Sequence, residues 1–120
     1  ALAAYEGDQS CVAAFRETFR RRRDLIVSLA KDIPGLEVNV PQGAFYLFPD
    51  CSAFFGRSDG KRVIRNSTDL ALYLLEEGHV ATVGGEAFGA PGCFRMSYAT
   101  DDASIKEALR RIKGVLSRLE

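Results

Sequence analysis

Apolar residues recur every three or four positions along three stretches of the chain, and this spacing predicts three amphipathic helices. Ahead of the first, Gly7 interrupts a short helical run, and either Asp8 or Ser10 can cap the longer helix that follows. That helix is predicted to end near Pro34-Gly35, because proline and glycine disfavour its continuation. Its apolar stripe, which we expect to face the core, is Val12, Phe15, Phe19, Ile26, Leu29 and Ile33.

The other two helices have clear sequence signals at their ends. The second covers Leu70 to Glu77, and Gly78 is predicted as its C-cap. Residues whose side chains can accept a backbone hydrogen bond precede both helices: Asn66 or Ser67, and Thr100 or Asp101. The third helix carries the cleanest apolar stripe in the chain, formed by Ile105, Leu109, Ile112, Leu116 and Leu119.

Four short segments between the helices favour extended strands. Residues 36–40 alternate apolar and polar positions, whereas residues 44–48 form a continuous apolar run rich in aromatic side chains. Residues 79–83 and 93–99 flank a glycine-rich loop and complete the set, and residues 51–66 are predicted to form a mobile surface loop. The order predicts a two-layer α/β (α+β) domain in which three helices cover a small mixed sheet of about four strands.

Composition narrows the classes of protein that this chain can represent. Its 120 residues are 47% hydrophobic and 27% charged, which predicts one folded domain rather than a disordered or fibrous chain. Sixteen Lys and Arg balance sixteen Asp and Glu, so no basic excess favours a nucleic-acid partner. No apolar stretch approaches the roughly 20 residues that span a bilayer, so no membrane segment is predicted.

Few side chains offer catalytic or metal-binding chemistry. Cys11, Cys51 and Cys93 are odd in number and widely spaced, which predicts buried thiols in a reducing, cytoplasmic compartment rather than a disulfide or a zinc site. His79 is the only histidine, so no metal site built from clustered imidazoles is predicted. The four lysines lie at helix ends, in the polar loop or on polar helix faces: Lys31, Lys61, Lys106 and Lys113. None lies in an apolar stretch that would lower its pKa for Schiff-base chemistry.

Arg95 is the strongest candidate binding residue. Strand alternation places it on the face opposite Phe94 and Met96, between the small side chains of Cys93 and Ser97. A guanidinium with room around it can hold a carboxylate through two parallel hydrogen bonds. The alternative interpretation is a structural salt bridge on an edge strand.

The start of the chain raises a separate question. Residues 1–5 favour a helix but contain neither Met nor a capping residue, so we expect either a piece of a longer polypeptide or a processed N-terminus. Arg22 falls on the first helix's apolar stripe, within the run Arg20–Arg23. It is predicted to lie on a solvated face whose arginine stems cover apolar surface; the alternative is a face that packs on a further domain.

Three segments, in order, resemble the C-terminal small domain of the class I, pyridoxal-phosphate-dependent (fold type I) aminotransferases. They are Pro41–Pro49 (PQGAFYLFP), Ala87–Gly89 (AFG) and Phe94–Ala99 (FRMSYA), and they are most similar to the bacterial aspartate aminotransferases. Residues 3–5 and 19–24 also resemble the long helix that joins the two domains of that family. The resemblance covers essentially the whole chain.

The resemblance implies a domain organisation as well as a fold. Residues 1–120 would form a single small domain, residues 1–33 would belong to the interdomain helix region, and the large cofactor domain would be absent. Gly84-Gly85 departs from the family pattern, which usually has Pro-Gly there, and this puts the shape of the loop in question.

The resemblance also implies a function. The full-length enzyme would transfer an amino group between an amino acid and a 2-oxo acid by means of pyridoxal phosphate, as a homodimer typical of the family. Arg95 stands at the position that binds the substrate α-carboxylate, and Phe45 and Phe88 would shape the active-site wall. The catalytic and cofactor-binding residues of the family precede this segment, so we expect this chain alone to bind no cofactor and to be inactive.

Two other interpretations stay open at this stage. The chain could come from another class I or II aminotransferase or a related pyridoxal-phosphate enzyme, because the substrate side-chain specificity is not encoded in this segment. It could instead be a free-standing α/β module that binds amino acids or a partner protein as a regulator.

Overall fold

The computed structural model describes residues 1–120 and contains four α-helices and three short strands. In chain order these are α1 Leu2–Glu6, α2 Ser10–Lys31, β1 Tyr46–Leu47, α3 Ser67–Gly78, β2 Val83–Gly84, β3 Phe94–Ser97 and α4 Asp102–Leu116. Two 3₁₀ helices, Ser52–Phe54 and Gly85–Phe88, lie in the connections. The predicted α/β class is confirmed, and no helix is both long enough and apolar enough to cross a membrane.

The three strands form an antiparallel sheet in the order β1-β3-β2, with β3 in the centre. The register pairs Tyr46 with Ser97 on one side of β3 and Val83 with Arg95 on the other. Helix α4 packs on α2 and α3, α2 contacts β1, and α3 contacts β2 and β3, so that a layer of helices lies against the sheet. The sheet therefore has one strand fewer than predicted and no parallel pair.

The segment predicted as the first strand, residues 36–40, forms only an isolated bridge in which Glu37 and Asp50 exchange two backbone hydrogen bonds of 2.9 and 3.1 Å. Its alternation holds at Leu36, which is buried, and at Val38, which is half-buried, but not at Val40, which is exposed. A strand also needs a partner along its whole length, however, and Pro49, which lacks an N–H, precedes the bridging residue. Alternation alone therefore predicted part of the burial but not the pairing.

Two other predicted strands begin later than expected, because a residue in each adopts the left-handed region. Ala44 has φ 59°, so β1 begins only at Tyr46. His79 has φ 53° and ψ 40°, and β2 begins only at Val83. Neither conformation is compatible with an extended strand.

The helix ends show which capping predictions hold. Asn66 accepts a hydrogen bond from the Asp69 backbone N–H at 2.8 Å, and Asp101 caps α4 in the same way. The prediction that Gly78 is the C-cap of α3 is wrong, since His79 takes the left-handed position. Gly78 is instead the last helical residue, where an added Cβ would lie 3.3 Å from a methyl group of Val115. The glycine therefore permits close packing of α3 on α4.

Helix α2 is buried only over its second half, where Ile26, Val27 and Ala30 enter the core. The first half of its predicted stripe is exposed, including Val12 and Phe15, together with two side chains of α1, Leu2 and Tyr5. This leaves an apolar surface at the start of the chain that nothing within residues 1–120 covers.

Arg22 covers apolar surface, as predicted, but it also faces α4; whether this face packs on a further domain stays a prediction. Its guanidinium lies 5.5 Å from the centre of the Phe19 ring, and its Nε lies 3.9 Å from a carboxylate oxygen of Asp102 in α4, which also pairs with Arg21. These arginines therefore join α2 to the first turn of α4 rather than forming a purely solvated face.

The segment 51–66, predicted as a mobile loop, is tied to the rest of the domain. Phe54 and Ile64 are buried, and Ser58 exchanges two backbone hydrogen bonds of 2.9 Å with Glu120. The prediction of a loop rested on the charged side chains of this segment. It did not account for two core residues, Phe54 and Ile64, or for the pairing of Ser58 with the end of the chain.

Candidate functional site

Arg95 projects from the central strand β3, on the sheet face that the helices leave open. Its neighbours Phe94 and Met96 point into the core, as the predicted alternation requires. The guanidinium carbon lies 4.3 Å from the centre of the Tyr46 ring and 4.3 Å from the centre of the Phe88 ring. Two aromatic faces thus hold the cation by cation–π attraction.

No acidic group within the chain neutralises Arg95. It takes part in none of the ion pairs and none of the side-chain hydrogen bonds of the domain. The alternative of a salt bridge on an edge strand is therefore wrong on both counts, because β3 is also the central strand. The N–H donors at the guanidinium edge stay available for a planar anion such as a carboxylate.

Phe88 reaches Arg95 from the 3₁₀ helix Gly85–Phe88, which follows β2 directly. Its ring also meets Phe48 edge to face, with ring centres 6.1 Å apart. Gly89 ends the 3₁₀ helix in the left-handed region with φ 72°, a conformation that favours glycine. The glycine-rich loop therefore serves to bring one aromatic side chain over the arginine.

The two glycines that open this loop have different structural roles. An added Cβ at Gly85 would lie 2.0 Å from the carbonyl oxygen of Ala90, so no side chain fits there. Gly84 has φ −60° and ψ 142°, values that proline also adopts. The departure from Pro-Gly therefore leaves the backbone of the loop in a proline-like conformation.

Phe45, predicted with Phe88 as part of an active-site wall, does not contact Arg95 through its ring. It lies 4.5 Å from Tyr46 and 6.3 Å from Phe19, between ring centres, and lines a separate cleft of about 370 Å³. Arg16, Arg20 and Arg23 line the same cleft. Phe45 thus supports the aromatic neighbour of Arg95 rather than Arg95 itself.

Tyr46 is the site residue that sequence reasoning missed. Leu47 is buried in β1, so alternation along that strand places Tyr46 on the open face of the sheet, where Arg95 lies. The signal was present in the sequence, but its use required the register of β1 against β3, which the sequence pattern does not give.

The remaining reactive groups differ in exposure. The prediction of buried thiols holds for Cys51 but is wrong for Cys11, which is exposed, and Cys93 is half-buried. All four lysines are exposed, and no group of three or more His, Cys, Asp or Glu side chains converges as metal ligands would. Burial raises the pKa of the Cys51 thiol to about 12, with smaller contributions from Asp50, Cys93 and Glu86, so this thiol is not a nucleophile near neutral pH. The residues of this chain do not fit covalent attachment of pyridoxal phosphate, which requires a lysine amine in a desolvated site.

Comparison with known proteins gives relatives over almost the whole chain. It is 48% identical to an aspartate aminotransferase of Rhizobium meliloti (strain 1021) over 120 residues, which are 98% of this chain and 29% of the relative. It is 44% identical to an aspartate/prephenate aminotransferase of Cereibacter sphaeroides, over 99% of this chain and 30% of the relative. The chain thus spans about three tenths of the length of these relatives.

A solved structure agrees with these sequence matches. The crystal structure of the aspartate aminotransferase from Rhizobium meliloti superposes with a TM-score of 0.94 at 44% identity, over 98% of this chain and 30% of that one. A family model described as "Aminotransferase class I and II" matches residues 1–112. With its fold and nearly its whole length matched in this way, the chain belongs to the class I and II aminotransferases.

Proposed function

We propose that this chain is the small domain of an aspartate-type aminotransferase, in which Arg95 binds the α-carboxylate of the amino-acid and 2-oxo-acid substrates. The observation that carries the proposal is a guanidinium with no internal acid, held between Tyr46 and Phe88 on the open face of the sheet. The identity to aspartate aminotransferases supports the substrate class.

The geometry suits recognition of a carboxylate. The guanidinium carbon lies 4.3 Å from each ring centre, and the N–H donors form a planar fork that no acid of the chain occupies. Every amino acid and every 2-oxo acid carries the carboxylate that such a fork binds in a bidentate manner. A substrate held this way is fixed in orientation as well as position, which lowers the entropic part of the barrier.

The family implies pyridoxal phosphate as the cofactor of full-length enzymes, where it supplies the electron sink for the amino-group transfer. Because the lysines of this chain are exposed, we place the cofactor on a large domain of the same polypeptide and expect residues 1–120 alone to be inactive. Residues 1–33 would then lie in the helix region between the two domains, and the exposed apolar side chains of α1 and α2 would pack on the large domain. A homodimer and a cytoplasmic location complete the proposal.

A second candidate function is an aminotransferase with a wider substrate range. The Cereibacter sphaeroides relative is named for both aspartate and prephenate. An enzyme with that wider range would use Arg95 in the same way, because the amino acid aspartate and the 2-oxo acid prephenate both carry a carboxylate next to the reacting carbon.

A chimera tests the role of Arg95. Residues 1–120 replace the matching segment of the Rhizobium meliloti enzyme, and the KM for aspartate and for the 2-oxo acid is measured for Arg95→Lys and Arg95→Ala. Loss of a bidentate charged contact should lower kcat/KM roughly 10²-fold or more for Arg95→Ala, with partial activity in Arg95→Lys.

Arg57→Ala is the matched control, because Arg57 also lies over an aromatic ring, 5.4 Å from the centre of Phe54. It should leave both KM values unchanged. An Arg95→Ala chimera with unaltered KM for both substrates would overturn the proposed role.

A further inference from the structure

Glu86 makes contacts that neither the family pattern nor the proposed role of Arg95 explains. Its carboxylate lies across the first turn of α3, although Glu86 belongs to the glycine-rich loop. Oε1 accepts from the backbone N–H groups of Ser67 and Thr68 at 3.1 and 3.4 Å. Oε2 accepts from the hydroxyls of Ser67 and Thr68, the latter at 3.0 Å. These hydrogen bonds hold the pKa of Glu86 below its usual range, with the Ser67 hydroxyl as the largest cause.

Ser67 ties the same loop to α3 a second time. Its hydroxyl donates to Glu86 and accepts from the backbone N–H of Gly85 at 2.8 Å. Ser67 is fully buried, so its hydroxyl has no access to water as a substitute partner. The loop and the helix therefore share one polar network, in which the buried hydroxyl of Ser67 bonds both Glu86 and Gly85.

Phe88 depends on this network for its position. It lies two residues after Glu86 in the same 3₁₀ helix, and it is 47% exposed, so burial alone does not fix it. Its ring contacts the ring of Phe48 and the guanidinium of Arg95. Backbone hydrogen bonds from Gly85 N–H to Cys93 and from Ala90 N–H to Gly85 hold the loop to itself and to the residue before β3, and the side chain of Glu86 adds the contact that ties it to α3.

Capping of α3 does not by itself account for Glu86. Asn66 already provides the side-chain N-cap by accepting from Asp69 N–H. What Glu86 adds is a connection between that helix and the loop that covers Arg95.

Gly84 gives a second, independent observation. Its φ of −60° does not require glycine. An added Cβ, however, would lie 2.8 Å from Glu86 Oε2 and 2.8 Å from Thr68 Oγ1. The missing side chain thus leaves the space that the carboxylate of Glu86 and the hydroxyl of Thr68 occupy beside the first turn of α3.

We propose that Glu86 is a positioning residue: by binding the first turn of α3 it fixes Phe88 over Arg95, and so sets the orientation in which the guanidinium meets the substrate carboxylate. This inference rests on the proposed function of Arg95. It assigns Glu86 no contact with the substrate.

The test uses the same chimeric holoenzyme and two ways of removing the contact. Glu86→Ala deletes the carboxylate, whereas Gly84→Ala keeps Glu86 and crowds the point at which its carboxylate meets the hydroxyl and backbone N–H of Thr68. Both should raise the KM for the amino acid roughly fivefold, the size expected for one cation–π contact, with a smaller change in kcat. Glu86→Gln keeps one acceptor oxygen and should restore part of the difference. Absorbance of the bound cofactor confirms that each variant is loaded.

Asp101→Ala is the matched control, since Asp101 caps α4 through Ser104 N–H at 2.9 Å but has no link to the loop. It should lower the thermal midpoint and leave KM unchanged. If Glu86→Ala and Gly84→Ala behave like Asp101→Ala, Glu86 only stabilises the domain and the inference is wrong.

A double substitution separates this outcome from failure of the proposed function. Glu86→Ala should add no further increase in KM to Arg95→Ala, because the positioned group is already absent; a full additional increase would contradict the inference. If Arg95→Ala alone leaves KM unchanged, the proposed function fails first. If Arg95→Ala raises KM but the Glu86 and Gly84 variants do not, the proposed function of Arg95 is supported and the positioning role of Glu86 is wrong.

Discussion

Tyr46 lies diagonally across the β1–β3 ladder from Arg95, on the same face of the sheet, because Tyr46 pairs with Ser97 two residues further along β3. Its ring centre is 4.3 Å from the guanidinium carbon. Diagonal neighbours in an antiparallel pair are within reach of long and aromatic side chains. The strand register thus places the Tyr46 ring against Arg95, and the glycine-rich loop places the Phe88 ring there.

Replacement of Tyr46 should weaken substrate binding through Arg95. Tyr46→Leu removes the π face, so the KM for the amino acid in the chimeric enzyme should rise about fivefold, in line with about 1 kcal/mol for one cation–π contact. Tyr46→Phe keeps the ring and should differ from the wild type by less than about twofold. Equal KM values for Tyr46→Leu and Tyr46→Phe would show that the ring does not orient the guanidinium.

The ionised state of Glu86 should stabilise the domain only above acidic pH. Its pKa is lowered in the folded chain by hydrogen bonds, first from the Ser67 hydroxyl. A lowered folded pKa means that the stabilisation is present above the unfolded value of about 4.3 and is lost as pH falls through the folded value. The thermal midpoint of Glu86→Gln should therefore lie below that of the wild type at pH 7, and the gap should narrow as the pH falls through the folded pKa of Glu86.

The difference between the two proteins, rather than the wild-type curve alone, is the quantity to measure. Asp50, Asp69, Asp101 and Glu107 also have lowered pKa values, so both proteins lose stability in acid. A gap between wild type and Glu86→Gln that stays constant from pH 7 to pH 3 would mean that the charge of Glu86 contributes nothing.

Arg95 could be predicted from sequence because its strand alternates cleanly, with Phe94 and Met96 buried on the other face. Tyr46 and Glu86 could not, for different reasons. Tyr46 meets Arg95 only through a strand register that local patterns do not specify. Glu86 bonds residues 18 and 19 positions away in the chain, and its surroundings in sequence resemble those of an ordinary exposed acid.

The predicted strands show a similar division. Burial followed from the pattern, as at Leu36 and Leu47, because alternation reports which side chains face the core. The lengths of the strands did not follow from the pattern, because pairing depends on a partner backbone. It also depends on residues such as Ala44, whose side chain gives no indication of its left-handed conformation. Local propensity predicted a strand there, and tertiary context overrode it.

The three cysteines should react at very different rates with a thiol reagent at pH 8. Cys11 is exposed and should react first, whereas Cys93 is half-buried with its pKa raised by burial and should react more slowly. Cys51 is buried with a pKa of about 12, so only roughly one molecule in 10⁴ carries its thiolate at that pH. It should react only after urea unfolds the chain. Prompt reaction of two thiols in a Cys11→Ser variant would contradict this order.

His79 takes the left-handed position at the end of α3, with φ 53° and ψ 40°, and its side chain is exposed. Glycine adopts this conformation without the steric cost that a Cβ imposes. His79→Gly should therefore raise the free energy of unfolding of the 120-residue chain by about 0.5–1 kcal/mol, measured from its urea midpoint. His79→Ala keeps the Cβ and should bring no such gain, which separates backbone strain from loss of the imidazole. A His79→Gly chain no more stable than the His79→Ala chain would show that the turn stores no strain.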